Sequence, residues 1–340
     1  MINEAWFFVL AAMLTTYGVL DGFDIGVGVL HLFLARTEEE REAGISAIGP
    51  VWNGNEVWLI AVGGSMVVAF PHAYAAAFSG FYLALMLVVW LLVLRGLGIE
   101  FRHQVDSPLW RQAWDVTFSL ASILLAVLFG VALGNVLRGV PLDEGGEFQG
   151  SFALLLNPFS MLGGILSLAV LSLHGATYLA MKTEAQLHVR ARRAVGLFWW
   201  LVLALLAAMV AGSFPVRPDF ARNFLLAPGF FAVPLFGVAC LIALRAFWSA
   251  GQDRRAFLAS AGTIVGILGC VAVGLFPRLL PSPAGSGGVS LDIYNAAAPG
   301  ESLRIALGVC LVGVGIVVIY LTRIYRLWSG KVSKQDSYRI

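Results

Sequence analysis

The sequence predicts an all-α, polytopic integral membrane protein with about nine transmembrane helices. Of its 340 residues, 59% are hydrophobic and only 12% are charged, and the mean hydropathy is +0.85. Soluble domains carry about 25% charged residues, so this composition excludes a protein with one soluble core. Two further observations support the fold class. Apolar windows of about 20 residues recur along the chain, and basic residues are distributed unevenly between the segments that join them.

Nine apolar windows are long enough to cross a bilayer as helices. The predicted spans are 6–34, 51–70, 77–99, 115–137, 157–181, 194–213, 229–248, 256–277 and 303–322. The second is polar at its start and ends at Pro71. The N-terminal MINEAWFF has no basic region and no small-residue cleavage site, so we expect it to begin the first membrane helix rather than a removable signal.

The basic residues predict an orientation. With nine spans, 17 of the 22 lysines and arginines, Arg95 among them, fall on the side of the C-terminus and five fall on the other side. The positive-inside rule then places the N-terminus outside and the C-terminus in the cytoplasm. The external segments 141–149 and 278–302 are too short to be domains. We therefore expect one integral membrane domain over 1–340, and leave open a half boundary near 183–193.

Polar residues form a seam along the first predicted helix. Tyr17, Asp21, Asp24, Gly28 and His31 follow one another at spacings of 4, 3, 4 and 3, which places them within a stripe about 80° wide. A parallel ridge of glycines recurs every four residues, a pattern that lets another helix approach closely. Its members are Gly18, Gly22 and Gly26. The seam is therefore expected to face packed protein or trapped water rather than lipid.

The aspartate pair has two interpretations. A carboxylate at the bilayer centre costs roughly 2.5–3.5 kcal/mol on insertion scales, so Asp21 and Asp24 must face a protein interior or a water path. They are either structural groups, satisfied by hydroxyls or a partner arginine, or members of a proton relay.

The second predicted helix opens with Trp52-Asn53-Gly54-Asn55-Glu56. Asn53 and Glu56 share a face of this helix and lie near the level where the first helix ends. Glu56 suits proton entry from the cytoplasm. Alternatively, these polar side chains only cap exposed helix N–H groups. Trp58 fits either an interfacial aromatic belt or the wall of a partner's cofactor pocket.

Metal ligands are sparse in the sequence. His174 is the one histidine well inside a predicted span, and a hydrogen-bonded core histidine is a better interpretation than a heme ligand because no second deep histidine accompanies it. The three cysteines lie singly in apolar segments and predict neither zinc, disulfides nor c-type heme. No motif indicates a metal site or nucleic-acid binding, and the lipid bilayer is the expected surrounding.

Several motifs together resemble a known family. The stretches DGFDIGVGVL, GPVWNGNEVWLIAVGG and LLNPFSMLGGILSLAVLSLHGATYLAMK, with FRHQVDSPLWRQAWD, FGVALGNVLRGVPL and GLFPRLLPSP, occur in an order similar to that in subunit II of cytochrome bd-type quinol oxidases. The combination of D-G-F-D with W-x-G-N-[EQ]-x-W is specific. The resemblance runs through nearly the whole chain.

The resemblance implies a non-heme subunit of a two-subunit terminal oxidase in the prokaryotic inner membrane. Subunit I would carry two b hemes, heme d and the quinol site. The complex would oxidise quinol and reduce dioxygen to water with protons from the cytoplasm. The implied fold is two four-helix bundles plus one peripheral helix. No cofactor is expected on this chain alone, although some members hold a structural quinone. Expected partners are subunit I, quinol and small accessory membrane subunits.

One departure from the family matters for the site. The family's proton-path carboxylate lies in a W-D-G-N motif, and that position is Asn53 here, which cannot titrate. Glu56, or Asp21 and Asp24, can replace it. The resemblance also implies that Trp58 lines an oxygen channel. Two rival functions are a proton-coupled transporter driven by the same carboxylates and a pure scaffold. Inverted repeats with broken helices would favour the transporter, and no convincing pair is present.

Overall fold

A computed structural model describes residues 1–283 and 287–332 as an almost entirely helical chain. The elements are α1 (Ile2–Leu34), α2 (Glu38–Ile48), α3 (Trp52–Ala69), α4 (Pro71–Gly80), α5 (Tyr82–Phe101), α6 (Pro108–Arg138), α7 (Phe152–Leu155), α8 (Pro158–Lys182), α9 (Ala185–Val216), α10 (Arg222–Leu226), a 3₁₀ turn (Pro228–Phe231), α11 (Ala232–Ser249), α12 (Asp253–Leu275), β1 (Arg278–Leu280), β2 (Leu291–Asp292) and α13 (Gly300–Leu327).

Local sequence explains where the helices begin. Thr37 and Glu40 form a capping box at the start of α2, in which each side chain accepts a hydrogen bond from the other residue's backbone N–H. Asn157 caps α8, and Pro158 occupies its first turn, where no N–H is needed. Pro71 starts α4 directly after α3 ends, so the chain changes direction at Phe70.

The helices run between two ends of the molecule. At the hairpin end, antiparallel β1 and β2 meet the start of α1, because Asn3 Nδ2 donates to Ile293 O at 2.7 Å. Ala298 N donates to Ala69 O there, at the end of α3. At the α2 end, Arg190 Nε donates to Leu34 O at 2.6 Å, which joins the start of α9 to the end of α1.

The prediction of a polytopic, all-α membrane protein is confirmed. Within residues 1–283 and 287–332, eight helices are long and apolar enough to cross a membrane. The remaining predicted span, the second, is the 18-residue α3, which runs between the same two ends. It is not among the eight because its first turns carry Asn53, Asn55 and Glu56, which lower its hydropathy. The third predicted span begins too early, since it includes the end of α4.

Helix α1 is the central element. It packs against α3 and α6 on one side and against α8 and α12 on the other, and every residue from Asp21 to His31 is buried. Helix α13 is peripheral, since only Leu303 and Leu321 of its side chains are buried.

The predicted glycine ridge is confirmed. A Cβ atom on Gly26 would lie 2.0 Å from Leu171 O, and one on Gly175 would lie 2.3 Å from the Gly26 carbonyl carbon. The backbones of α1 and α8 therefore touch at this crossing, as small-xxx-small packing predicts. Gly18 packs against Leu268 of α12. The ridge thus fixes α1 at the centre and turns its polar seam toward α3, α5 and α6.

Candidate functional site

The first part of the site is an ion-paired triad between α1, α3 and α5. Asp21 Oδ1 lies 2.7 Å from Arg95 Nη2, and the same nitrogen contacts Glu56 Oε1. The side chains of Asp21 and Arg95 are fully buried, whereas that of Glu56 keeps 22% of its exposure. Glu56 is therefore the outer member of the triad and Asp21 the inner one.

The second part is a hydrogen-bonded chain from α1 to α13. Asn55 Nδ2 donates to Asp24 Oδ2 at 2.7 Å and also contacts Leu20 O. Tyr325 Oη donates to Asn55 Oδ1 at 2.9 Å. Because Asp24 lies one turn after Asp21 on α1 and Asn55 precedes Glu56 on α3, the two parts adjoin. We call Asp21, Asp24, Asn55, Glu56 and Arg95 together the carboxylate cluster.

The carboxylate cluster contains buried polar atoms that no group in the described part of the chain pairs by a hydrogen bond. They are Asp24 Oδ1, Arg95 Nε and Arg95 Nη1, and Tyr17 Oη lies beside Asp21. Buried polar groups are almost always hydrogen-bonded, so such a concentration is typical of a hydrated or proton-handling site. The cluster holds three carboxyl groups but only one guanidinium, which contacts Asp21 and Glu56, so the carboxyl groups can take up protons.

A second charged cluster lies at the α2 end. Asp115 of α6 is fully buried and accepts from Arg102 Nε at 2.7 Å, contacts His31 Nε2 at 2.8 Å and contacts Arg41 Nη1 at 3.1 Å. Arg102 also donates to Glu38 at 2.8 Å. These contacts hold α2 against the ends of α1, α5 and α6.

Arg102 lies just beyond the spanning part of α5. Burial lowers the pKa of its guanidinium. The hydrogen bond and charge of Asp115 and the charge of Glu38 raise that pKa by more than burial lowers it, so the net pKa is above its ordinary value. Arg102 is therefore charged at any physiological pH, and it neutralises the buried Asp115.

His174 is a buried, hydrogen-bonded core residue, as expected. Its Nδ1 lies 2.6 Å from Ser260 Oγ and its Nε2 lies 2.9 Å from Val19 O, and its ring stacks on Phe257. Because both ring nitrogens are engaged within the chain, His174 could not ligate iron without losing one of these contacts. Within the described residues, no group of three or more His, Cys, Asp or Glu side chains is placed to hold a metal ion.

Trp58 lies apart from the carboxylate cluster, in a small apolar group with Met13, Tyr17 and Leu321. It lines an apolar cavity of about 500 Å³ between α1, α3 and α13, and Gly64 lines the same cavity. Its indole N–H is buried and has no acceptor in the described part of the chain. Trp58 is thus an interior wall residue rather than a member of an interfacial belt.

The structure brings Asp21, Asp24 and Glu56 together but leaves out Asn53. Asn53 is exposed on α3, and its neighbour Asn55 is the asparagine that enters the cluster. Sequence reasoning also missed Arg95, which was counted as a loop charge but is buried in α5. The sequence did contain a sign of this burial. Arg95 lies inside the apolar run LLVLRGLGIE, and an arginine in such a run needs a carboxylate partner.

Comparison with known proteins supplies the family. The chain is 34% identical over 371 residues to cytochrome bd-I ubiquinol oxidase subunit 2 of Escherichia coli, covering 100% of this chain and 97% of that protein. It is 36% identical to probable cytochrome oxidase subunit 2 of Haemophilus influenzae, covering 95% and 92%, and 30% identical to cytochrome bd ubiquinol oxidase subunit 2 of Bacillus subtilis, covering 89% of each.

A solved structure shares the fold. A chain of the bd oxidase from Geobacillus thermodenitrificans superposes with a TM-score of 0.80 at 15% identity, covering 96% of this chain and 98% of that one. Residues 2–328 match the family described as cytochrome bd terminal oxidase subunit II. With that match and with relatives 30–36% identical over most of their length, the chain belongs to the cytochrome bd terminal oxidase subunit II family.

Proposed function

We propose that this chain is the non-heme subunit of a bd-type quinol oxidase in the inner membrane. The complex oxidises quinol and reduces dioxygen to water, and the two b hemes, heme d and the quinol site belong to its partner, subunit I. The observation that carries this proposal is the likeness to subunit 2 of bd oxidases along the entire chain. The engagement of both nitrogens of His174 within the chain supports placing the hemes elsewhere.

Co-purification tests this assignment. A tag on this chain should recover, from native membranes, a complex with the absorbance of b-type and d-type hemes and with quinol-dependent oxygen uptake. A chain that purifies alone, without heme and with transport activity of its own, would contradict the proposal and restore the proton-coupled transporter. The comparisons do not favour that alternative.

The carboxylate cluster is the proposed point at which this chain serves proton uptake. Glu56 is partly exposed and Asp21 is fully buried, and Arg95 bridges them, so the three form a path from the surface of α3 to the interior. Asp24 extends it through Asn55 toward Tyr325. The unpaired polar atoms beside this path support the relay over a purely structural role.

The surface of α3 is the proposed contact with subunit I. Asn53 is exposed there although it begins a membrane helix, and Glu56 is next to it on the same face. A polar residue on a lipid-facing helix is costly, so a protein partner is the better neighbour for this face. Asn53, the position of the family's missing carboxylate, would then face the partner beside Glu56.

The apolar cavity beside Trp58 is the proposed route for dioxygen. Dioxygen is small and apolar, and the cavity between α1, α3 and α13 has an apolar lining that includes Trp58. A structural quinone, which some members of the family hold, would find an apolar space and an unpaired N–H donor at the same place. Small accessory membrane subunits remain further expected partners.

The proposed orientation places the N-terminus outside and the α2 end in the cytoplasm. Arg95 is inside α5, so it no longer counts among the loop charges, and the remaining excess of basic residues at the α2 end still supports this orientation. We also propose a single membrane domain over 1–340, because α1 packs against helices from both halves. The half boundary near 183–193 remains a prediction.

A further inference from the structure

An arginine that forms no ion pair with any described carboxylate lies between two tryptophans where α9 and α11 pack together, near the α2 end. The Cζ atom of Arg245 is 4.3 Å from the ring centroid of Trp248 and 5.7 Å from that of Trp199. Both distances are within the range of cation–π contact. A Cβ atom on Gly196 would lie 4.0 Å from Arg245 Nη1, and the exposed Arg193 precedes Gly196 by one helical turn on α9. We call Arg193, Gly196, Trp199, Arg245 and Trp248 the arginine groove.

The arginine groove is preformed. Trp248 Nε1 donates to Arg192 O at 2.9 Å, and Trp199 Nε1 donates to Leu241 O at 2.8 Å, so backbone hydrogen bonds fix both rings. Gly196 lies under Trp248, where a Cβ atom would come within 3.2 Å of the indole. The rings can therefore hold the guanidinium in place while its N–H groups stay available.

The charge of the groove is not neutralised within the described residues. The neighbouring carboxylate, Asp253, is already taken by Arg192. Neither Arg193 nor Arg245 forms an ion pair with any described carboxylate. Arg254, exposed on the first turn of α12, adds to the positive charge of this end. The groove is thus suited to an anion.

The surroundings indicate that this anion is part of an amphiphile. Leu197 and Trp200 of α9 and Ile242 of α11 expose 59–67% of their surface within two turns of the groove, on helices that cross the membrane. Apolar side chains below and arginines at the helix ends match the acyl chains and phosphate of one lipid molecule. A soluble anion would make no use of the apolar side chains.

We propose that the arginine groove binds an anionic phospholipid. Arg245 and Arg193 hold its phosphate by charge-assisted hydrogen bonds, and its acyl chains lie along the exposed side chains of α9 and α11. This site is separate from the carboxylate cluster and would bind lipid whether or not that cluster carries protons.

Native mass spectrometry of the intact complex, purified in mild detergent through a tag on this chain, tests the proposal. Phosphatidylglycerol or phosphatidylcholine is titrated into the wild type, Arg245→Gln, Arg193→Gln and the double variant. Each substitution removes one arginine contact, so either one should lower the affinity of the tightest phosphatidylglycerol site about fivefold, and both together about 25-fold. The matched control is Arg323→Gln, an exposed arginine at the same end on α13, which should leave that site unchanged.

Three results would overturn the proposal. They are wild-type affinity for phosphatidylglycerol in the double variant, equally tight binding of phosphatidylcholine by the wild type, and displacement of the lipid by millimolar inorganic phosphate at constant ionic strength. Arg193→Gln keeps the test decisive if the Arg245 variant fails to assemble, because the exposed Arg193 side chain has no ion pair to lose among the described residues.

Discussion

Arg95 is the residue on which the buried charges of α1 and α3 depend. Its one guanidinium contacts both Asp21 and Glu56, and it has no exposed surface of its own. A buried carboxylate without a partner is far more costly than a buried pair, so the structural and the proton-handling interpretations both require this arginine. The structural interpretation allowed for a partner arginine, and Arg95 is that partner. A proton relay remains compatible with Arg95, because the cluster has more carboxyl groups than guanidinium groups.

Replacing Arg95 should therefore destabilise the protein strongly. Arg95→Gln removes the positive charge and leaves the fully buried Asp21 without a partner beside Glu56, which should cost about 3–5 kcal/mol. The measurement is the yield and the thermal unfolding temperature of the assembled complex. A second variant that also carries Asp21→Asn removes one of the uncompensated charges and should recover part of the loss.

Arg323→Gln is the control for this experiment, since it removes an exposed arginine at the same end. If Arg95→Gln alone unfolds at the wild-type temperature, or if adding Asp21→Asn lowers stability further, the ion pair does not have the role that its geometry indicates.

At the scale of elements, the crossing of α1 and α8 sets the position of the site. Gly26 and Gly175 bring the two backbones into contact, and this contact buries one face of α1 so completely that its other face must hold the aspartates against α3 and α5. Position 26 therefore acts on the carboxylate cluster through helix packing, without touching it.

Gly26→Ala should loosen this crossing. The new methyl group would lie 2.0 Å from Leu171 O, so the helices must separate, at a cost of about 1–3 kcal/mol. The complex should unfold at a lower temperature. Gly308→Ala in α13 is a matched control, because its Cβ atom would meet nothing within 4 Å among the described residues, and alanine favours a helix over glycine by roughly 0.5–1 kcal/mol. Equal unfolding temperatures for the two variants would contradict the packing argument.

The elements also show what the sequence could and could not predict. Long apolar windows, the glycine ridge and the seam on α1 are local patterns, and the structure confirms them. The partners of the seam lie far along the chain: Arg95 on α5, Asn55 on α3 and Tyr325 on α13. Spacing along one helix cannot reveal such pairs. Asn55 rather than Asn53 meets Asp24, and helix phase alone could not predict this because it does not say which face of α3 meets α1.

The cluster of Asp115 at the α2 end was missed for a related reason. Its members come from α1, α2, α5 and α6, and each looked like an ordinary charge near a helix end. Helix α2 itself escaped prediction because it is short and polar, although its capping box was legible as Thr37 followed three residues later by Glu40. Burial, which only the fold reveals, distinguishes these charges from solvated ones.

At the scale of the whole molecule, the chain is a packed helical body whose polar residues concentrate around α1. Outside that centre, Asp115 and its partners fasten the α2 end, and Arg217, Asp219 and Arg278 form ion pairs at the hairpin end. A scaffold alone would need the ion pairs but not the unpaired polar atoms beside them. The central claim is that this body helps to supply protons to the oxidase that it forms with its partner.

Oxygen consumption by the assembled complex with Glu56→Gln tests this claim most directly. Glutamine keeps an oxygen for the contact with Arg95 but cannot carry a proton, so quinol-dependent turnover should fall by at least about tenfold while the heme absorbance stays unchanged. Glu144→Gln, an exposed carboxyl group at the hairpin end, should leave turnover as it is in the wild type. Wild-type turnover in Glu56→Gln would contradict the proton relay, and loss of the assembled complex would assign Glu56 to the structure instead.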